Sequence, residues 1–323
     1  MAGVRIASLI PSGTDLVIAL GLGGHLVGVS HECDHEEARG LPVLTSSVIP
    51  PPALDGPSIE PAEIDRIVSA SVQAGSSLYL TDRALLRSLA PDVIVTQDVC
   101  DVCAVNADAA RDLMCELAPG AKLVMLRATD VAGFFRDLSV LGDALGVAER
   151  AASVVASTAA ALQEHRSYSQ ATEGKRVDLL TLEWSDPPFL GGHWVPELVE
   201  LAGALHVISG PGEASRRSDW DEIAAADPDV IVFCPCGYDL HQATVEATAL
   251  AGRPEVASLR AVRSGRFYAV DANRLFSRCT TNLVEAVAVL RCLAGADADT
   301  QLPTGTARVA HTHGLVPAIG SVP

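Results

Sequence analysis

Short, continuously apolar runs alternate along this chain with segments in which apolar residues recur at helical spacing. This alternation predicts an α/β fold, because buried parallel strands are apolar throughout and the connecting helices are apolar on one face. The predicted strands cover residues 4–10, 26–30, 92–96, 122–126, 176–182, 230–233 and 266–270. The predicted helices cover residues 12–20, 59–68, 81–89, 107–117, 194–201, 219–225, 238–251 and 280–294, with Ser12 or Thr14 as the cap of the first.

One further helical segment is too long for a connection within an α/β unit. It runs from about Asp130 to His165, contains no proline, and has Gly146 as its predicted bend. We interpret it as a linker helix between two lobes. The predicted organisation is an N-terminal α/β lobe at 1–128, the linker helix at 129–168, a C-terminal α/β lobe at 169–297 and a flexible tail at 298–323. Residues 40–60, rich in proline and serine, predict a loop.

An internal repeat supports two similar lobes. Residues 89–95 read LAPDVIV and residues 226–232 read ADPDVIV, so each segment predicts a helix end, a proline turn and a buried strand. The expected architecture is two Rossmann-like α/β lobes, joined by the long helix, with a ligand cleft between them. Ligands of open α/β sheets bind at the carboxyl ends of the strands, which locates the cleft.

The overall charge restricts the partners. The formal net charge is −17, which argues against nucleic acid, because nucleic acid requires clustered Lys and Arg. No apolar run approaches the roughly 18 residues of a membrane span, so membrane insertion is not expected. The first apolar run ends at Pro11 and is too short for a secretory signal, so we expect a cytoplasmic protein unless a leader has been removed.

Metal-ligating residue types follow three of the predicted strands. The candidate metal ligands are Cys33, His35, Cys100, Cys103, His193, Cys234 and Cys236. Cys-x-x-Cys and Cys-x-Cys in a reducing compartment indicate metal or redox sites before disulfides. Zinc, an iron–sulfur cluster or the metal of a bound chelate all fit these residue types, and a polar surface loop or buried thiols are the alternatives.

Aromatic and polar residues at the same strand ends are the candidate ligand contacts. They are His31, Glu32, Gln73, Tyr79, Gln97, Asp98, Glu183, Trp184, Phe189, His193, Trp194, Asn273 and Phe276. Trp and Phe stack on a flat macrocycle, and an imidazole ligates its metal. The segment 183–194 predicts an irregular loop that projects these side chains. Arg274 and Arg278 are expected to be surface charges, and His311 and His313 to be inert. Hydrolase and phosphate-binding motifs are absent, so catalysis is not expected.

The opening RIASLIPSGTDL at residues 5–16, the LAPDVIV segment, and Asp186-Pro-Pro-Phe189 followed by Gly191-Gly-His-Trp194 together resemble the helical-backbone substrate-binding proteins of metal-chelate transporters. The resemblance covers about residues 4–295. Within this family, the chain is most similar to a cytoplasmic subgroup labelled cobalamin-binding. It implies non-catalytic binding of cobalamin, another corrinoid or a related metal chelate, without an expected transporter partner. The alternatives are a Cys/His-bound zinc or iron–sulfur protein with an enzymatic or metal-handling role, and a regulatory module whose own side chains fill the cleft.

Overall fold

The computed structural model describes residues 3–50, 59–99, 120–171 and 176–309, and these form two α/β lobes. The N-terminal lobe contains β1 (Ile6–Ser8), β2 (Leu26–Gly28), β3 (Thr45–Ser47), β4 (Tyr79–Thr81), β5 (Val93–Gln97) and β6 (Lys122–Leu126). Its main sheet is parallel, in the order β2–β1–β5–β6, while β3 and β4 form a separate antiparallel pair. The parallel order places the carboxyl ends of four strands along one edge of the lobe.

The sheet of the C-terminal lobe has a parallel centre and antiparallel margins. Its strands are β7 (Asp178–Ser185), β8 (Pro188–Leu190), β9 (Leu205–His206), β10 (Arg216–Arg217), β11 (Val230–Phe233), β12 (Phe267–Val270) and β13 (Thr306–Arg308). The order is β10–β8–β7–β11–β12–β13, with β9 parallel to β7. The central strands β7, β11 and β12 are parallel, whereas β8, β10 and β13 run antiparallel to their neighbours.

Twelve α-helices lie in the described residues. They are α1 (Pro11–Ala19), α2 (Pro61–Gln73), α3 (Arg83–Leu89), α4 (Val131–Ala144), α5 (Ala148–Ala171), α6 (Val195–Leu201), α7 (Trp220–Ala226), α8 (Leu240–Ala251), α9 (Pro254–Ala257), α10 (Arg260–Arg263), α11 (Ala272–Leu275) and α12 (Leu283–Gly295). None of the helices in these ranges has the length and apolar character needed to cross a membrane. The predicted helix at 107–117 falls outside the described residues.

The long connecting segment is two helices rather than one. Gly146 has a φ of 72° between α4 and α5, which confirms the predicted bend. A positive φ costs glycine little because it has no Cβ. Helix α4 packs on β6 of the first lobe, and the 24-residue α5 packs against α4 and also against α6 and α12 of the second. The long helix α5 therefore joins the lobes.

The internal repeat appears as the same local structure in both lobes. Ala90 and Asp227 end their helices in the left-handed region, with φ of 40° and 38°. After each proline turn, the next backbone N–H donates to the first strand of its lobe: Asp92 to the Arg5 carbonyl and Asp229 to the Asp178 carbonyl, both at 2.8 Å. The predicted similarity of the two lobes is confirmed in this way.

Some elements differ from the sequence-based predictions. The 40–60 loop contains β3, the segment 183–194 contains the end of β7 and the whole of β8 where an irregular loop was predicted, and residues 306–308 of the predicted tail pair with β12. The three missed strands, β3, β8 and β13, have three residues each, which is too short to produce a periodic pattern. Helix α1 also lacks the predicted side-chain cap, because Ile10 is the residue before its first turn.

His206 on β9 is a buried neutral histidine. Its Nδ1 donates to the Ser209 carbonyl (3.1 Å), and its Nε2 accepts from the Thr181 backbone N–H (3.3 Å). Burial lowers its pKa to about 4. Since the unfolded chain binds this proton below about pH 6.5, stability is complete above that pH and is lost as the pH falls towards 4.

We expect the free energy of unfolding to fall by about 3 kcal/mol through His206 between these limits. Urea unfolding of the protein and of His206→Gln, measured across this range, tests the expectation. The variant should lose much of the pH dependence, whereas His241→Gln, at an exposed position, should keep it. Equal pH dependence in the protein and in His206→Gln would contradict it.

Candidate functional site

The strand ends of the two lobes meet at Arg278. This arginine follows α11 in the C-terminal lobe, is only 8% exposed, and points its guanidinium at the N-terminal lobe. Its Nη1 donates to Asp34 (2.6 Å) and Asp15 (3.4 Å), and its Nη2 donates to the Glu32 carbonyl (3.1 Å). The expectation of a surface charge at Arg278 is wrong, because carboxylates distant in the sequence supply the partners that a buried guanidinium needs.

A polar cavity of about 440 Å³ lies beside this bridge. It is lined by Asp15, Ile18, Ala19, Asp34, His35, Asp271, Arg274, Arg278, Thr281 and Asn282. Burial raises the pKa of the Asp15 carboxyl, and Arg278 opposes that change. Arg274 pairs with Glu285 at 2.6 Å, so both guanidinium groups of the cavity already have carboxylate partners.

His31 lies after β2 with one ring nitrogen fixed. The Thr45 hydroxyl donates to Ser30 Oγ (3.1 Å), so it accepts from His31 Nδ1 at 2.7 Å. This assigns the proton to Nδ1 and the lone pair to Nε2. Nε2 is buried and has no hydrogen-bond partner among the described residues. Burial lowers the pKa of His31, with Glu32 opposing, so the neutral ring is favoured.

Glu32 and Tyr79 complete this side of the site. The Glu32 carboxylate lies 3.5 Å from His31 Nε2, and the Tyr79 hydroxyl donates to the same carboxylate at 3.5 Å. The rings of His31 and Tyr79 are tilted, with centroids 5.2 Å apart. Three residues selected from separate parts of the sequence are therefore brought together.

The other polar residues of the 31–35 loop have different partners. Cys33 Sγ lies 3.1 Å from Thr14 Oγ1, and burial raises the pKa of its thiol. His35 begins a short 3₁₀ turn, where its Nδ1 accepts from the Glu37 N–H at 3.2 Å. Both side chains therefore cap or pack locally in this structure.

Aromatic side chains of the C-terminal lobe form a wall at the lobe seam. Trp184 packs edge-on against Tyr238, with centroids 5.5 Å apart, and donates through Nε1 to the Pro61 carbonyl of α2 at 3.2 Å. Trp194 donates through Nε1 to the Phe276 carbonyl at 3.1 Å. The first contact crosses between the lobes, while the second fixes the loop that carries Arg278.

A buried carboxyl group lies behind this wall. Glu246 accepts hydrogen bonds from Ser185 and Tyr238. Burial raises its pKa, and the charges of Glu60 and Asp186 add to the effect. The same burial raises the pKa of the Tyr238 phenol, so that group is neutral. Glu246 therefore bonds to the Trp184–Tyr238 pair, and two further carboxylates lie close enough to Glu246 to affect it.

Phe189 and His193 lie further along the same lobe. The Arg217 guanidinium is 5.6 Å from the Phe189 ring centroid and binds Asp65 of α2 at 2.7 Å. His193 has a φ of 54°, and its Nδ1 lies 3.4 Å from Ser215 Oγ. Burial lowers the pKa of His193, which favours the neutral ring. Arg217 therefore makes a second bridge between the lobes.

The candidate metal ligands are dispersed. Cys234 is buried in the core and its thiol pKa is raised well above the ordinary value by burial, while Cys236 is exposed. Across residues 3–50, 59–99, 120–171 and 176–309, no group of three His, Cys, Asp or Glu side chains is placed to hold a metal ion. Cys100 and Cys103 lie outside the described residues.

The remaining candidates have individual positions. Gln73 ends α2 and is exposed, Gln97 ends β5, and Asp98 pairs with Arg127 at 3.1 Å. Glu183 accepts from the Gly192 N–H at 3.4 Å, and the Asn273 N–H donates to the Tyr238 carbonyl at 3.4 Å.

Sequence reasoning missed Arg278 as a bridge, and also Arg217, Tyr238 and Glu246. Position after a strand is the only local signal for Tyr238. The two arginines carry no signal, because their partners are more than 140 residues away in the chain.

Two α/β lobes joined by a helix, with strand ends meeting across a seam, define the class of two-lobed binding proteins. Residues 6–273 match a family model described as periplasmic binding protein, and the chain belongs to that family. Solved structures share the fold over nearly the whole chain. A periplasmic heme-binding protein from Pseudomonas aeruginosa is 20% identical, with a TM-score of 0.68, covering 96% of this chain and 99% of that one.

Two other similar structures differ in their printed ligands. The periplasmic vitamin B12-binding protein BtuF of Vibrio cholerae is 19% identical, with a TM-score of 0.60, covering 90% of this chain and 96% of that one. A possible iron-binding (periplasmic solute-binding) protein from Staphylococcus epidermidis is 17% identical, with a TM-score of 0.66, covering 90% and 98%. No curated protein matches this chain.

Proposed function

We propose that this protein binds a metal chelate between its lobes, without catalysis, and that a corrinoid is the first candidate. The similar structures are described as binding heme, vitamin B12 or iron, which supports a metal-bearing ligand. A cytoplasmic location and the absence of a transporter partner stay predictions of this proposal.

The observation that carries the proposal is the state of His31. Its Nδ1–H is engaged by Thr45, so the Nε2 lone pair faces the Glu32 carboxylate at 3.5 Å with no proton between them. A buried lone pair that faces a carboxylate is unfavourable unless a cation or a donor satisfies both groups. The central metal of a chelate meets that requirement as an axial partner of Nε2, after the half-buried side chains of Glu32 and Tyr79 shift to admit it.

The aromatic wall supports a flat ligand. Trp184 and Tyr238 are half-buried at the seam and pack edge to face. An indole that keeps one face uncovered binds a macrocycle through dispersion and the hydrophobic effect. Because Trp184 also donates to the Pro61 carbonyl, ligand entry at this wall requires α2 to move, and none of the side chains of α2 is fully buried to resist it.

The test is a titration of the purified protein with hydroxocobalamin, followed by visible absorption, with hemin and a ferric siderophore as competitors. We expect a shift in the corrin bands at one equivalent. His31→Ala should weaken binding by about 10- to 100-fold through loss of the axial partner. His35 lies in the same loop but is bonded to its own turn, so His35→Ala should change the affinity by at most about twofold.

Elemental analysis of the protein as purified separates the proposal from its rival. Stoichiometric zinc or iron with unchanged corrin bands would replace it with a protein-bound metal centre. Binding of hemin or the siderophore in preference to hydroxocobalamin would keep the chelate class and overturn the corrinoid.

A further inference from the structure

We propose that Arg278 is a positioning residue for the ligand site: from the C-terminal lobe, it holds the loop that carries His31 and Glu32. The inference rests on the proposed function for its effect on affinity. Its structural part concerns the protein without ligand.

The backbone of Arg278 is anchored in its own lobe. The preceding Phe276 is buried, and its carbonyl accepts from Trp194 Nε1 at 3.1 Å. The N–H groups of Phe276 and Ser277 both donate to the Ala272 carbonyl, at 2.9 and 2.8 Å. These contacts hold the start of the Arg278 side chain at a defined position after β12.

The guanidinium donates hydrogen bonds to the N-terminal loop on both sides of Cys33. Nη1 donates to Asp34 Oδ1 at 2.6 Å and Nη2 donates to the Glu32 carbonyl at 3.1 Å. A planar guanidinium with two donors fixes direction as well as distance, which a single charge cannot do. Asp15, in the middle of α1, adds a third contact at 3.4 Å.

The contact between Arg278 and the Glu32 carbonyl affects the His31 imidazole because Glu32 is the next residue in the chain. The His31 N–H donates to Thr45 Oγ1 at 3.1 Å, which holds the loop to its own lobe. The Glu32 carbonyl, on the other side, is held by Arg278. Since the Glu32 carboxylate lies 3.5 Å from His31 Nε2, releasing its backbone changes what that nitrogen faces.

A purely structural ion pair would predict a different result. It would lower stability without altering the electronic state of the His31 ring. The ¹⁵N chemical shifts of the imidazole report the proton position and the environment of each nitrogen, so they separate positioning from stability.

The experiment compares Arg278→Lys, Arg278→Gln and Asp34→Asn with the protein itself. The control is Arg260→Gln, since Arg260 pairs with Asp227 and Asp229 within its own lobe and does not line the cavity. The two readouts are the His31 ¹⁵N shifts without ligand and the affinity for hydroxocobalamin. We expect Arg278→Gln to change the His31 ¹⁵N shifts and to weaken the affinity for hydroxocobalamin by about 10- to 100-fold. Loss of a group that orients a metal-binding side chain has an effect of this size.

Arg278→Lys should show smaller changes in the His31 shifts and in the affinity than Arg278→Gln, because lysine keeps the positive charge but lacks the two parallel donors of the guanidinium. Asp34→Asn should move the shifts in the same direction by less, and this exposed position keeps the test available if Arg278→Gln does not fold. The control should change neither readout. Unchanged His31 shifts in Asp34→Asn and in every folded Arg278 variant would overturn the inference. Moved shifts in a protein that binds no hydroxocobalamin would uphold the positioning role and reject the proposed function alone.

Discussion

Replacing Gly192 with alanine should lower the free energy of unfolding by about 3 kcal/mol, at the upper end for overpacking. An added Cβ would lie 2.6 Å from the Ala214 carbonyl carbon and 2.7 Å from the Glu213 oxygen. Both are backbone atoms, so no side-chain rotation relieves the clash. The same backbone accepts from the His193 N–H at 2.5 Å, and that pairing is lost when the segments separate.

Urea unfolding at neutral pH measures this change. Gly24→Ala is the matched control, because no atom lies within 4 Å of its added Cβ, and we expect it to differ from the protein by less than about 0.5 kcal/mol. If Gly192→Ala unfolds at the same urea concentration as the protein, the close approach of the two segments is wrong.

A corrinoid whose peripheral arms are amides should bind about tenfold more tightly, or more, than one whose arms are carboxylates. Glu246 bonds to Tyr238 of the aromatic wall, and the nearby charges of Glu60 and Asp186 raise its pKa. Like charges brought together in a desolvated interface repel strongly, whereas amide N–H groups donate to carboxylates.

Arg253 offsets part of the Asp186 charge, and the cations near the seam are already paired. Arg217 binds Asp65, Arg127 binds Asp98, and Arg253 lies 2.7 Å from Glu255 and 3.6 Å from Asp186. Each guanidinium named already has a carboxylate partner. An incoming carboxylate arm would have to displace one of these partners, at the cost of its ion pair.

Competition between hydroxocobalamin and a corrin heptacarboxylate that shares the ring and the metal measures the selectivity directly. Glu60→Gln combined with Asp186→Asn should reduce it, while Asp143→Asn, exposed on α4, should leave it unchanged. Added salt should also reduce the difference in affinity between the two corrins, because exposed charges are screened. Equal affinity for both corrins would reject charge selection and leave the proposed binding site standing.

Much of the fold was predictable because its elements are long or uniformly apolar. The runs around Val93 and Val230 each form a central parallel strand, and the repeated proline turn before them recurs with the same backbone geometry. Gly146 also marked the break between α4 and α5 correctly. The missed strands are short and partly polar, and they form only because a neighbouring strand offers free hydrogen-bonding groups.

The candidate site was predictable in part. Position after a strand identified His31 and Trp184, and the structure gives both a defined set of contacts at the lobe seam. The same rule selected Cys234, which is packed in the core. Side chains alternate in direction along the chain, so a shift of one or two residues separates a seam residue from a core residue.

The amino-acid sequence by itself determined the α/β class, the two similar lobes, the broken connecting helix and the acidic charge, because each depends on local periodicity or on composition. Only the tertiary structure decided which polar groups meet. Arg278 and Asp34 are separated by 244 positions, and their contact gives a partner to an arginine that was expected at the surface but is buried. The neutral state of His31 likewise depends on burial of its ring, and its proton position depends on Thr45. Burial and charge pairing are properties of the assembled chain, and a buried charge persists only where folding supplies its partner.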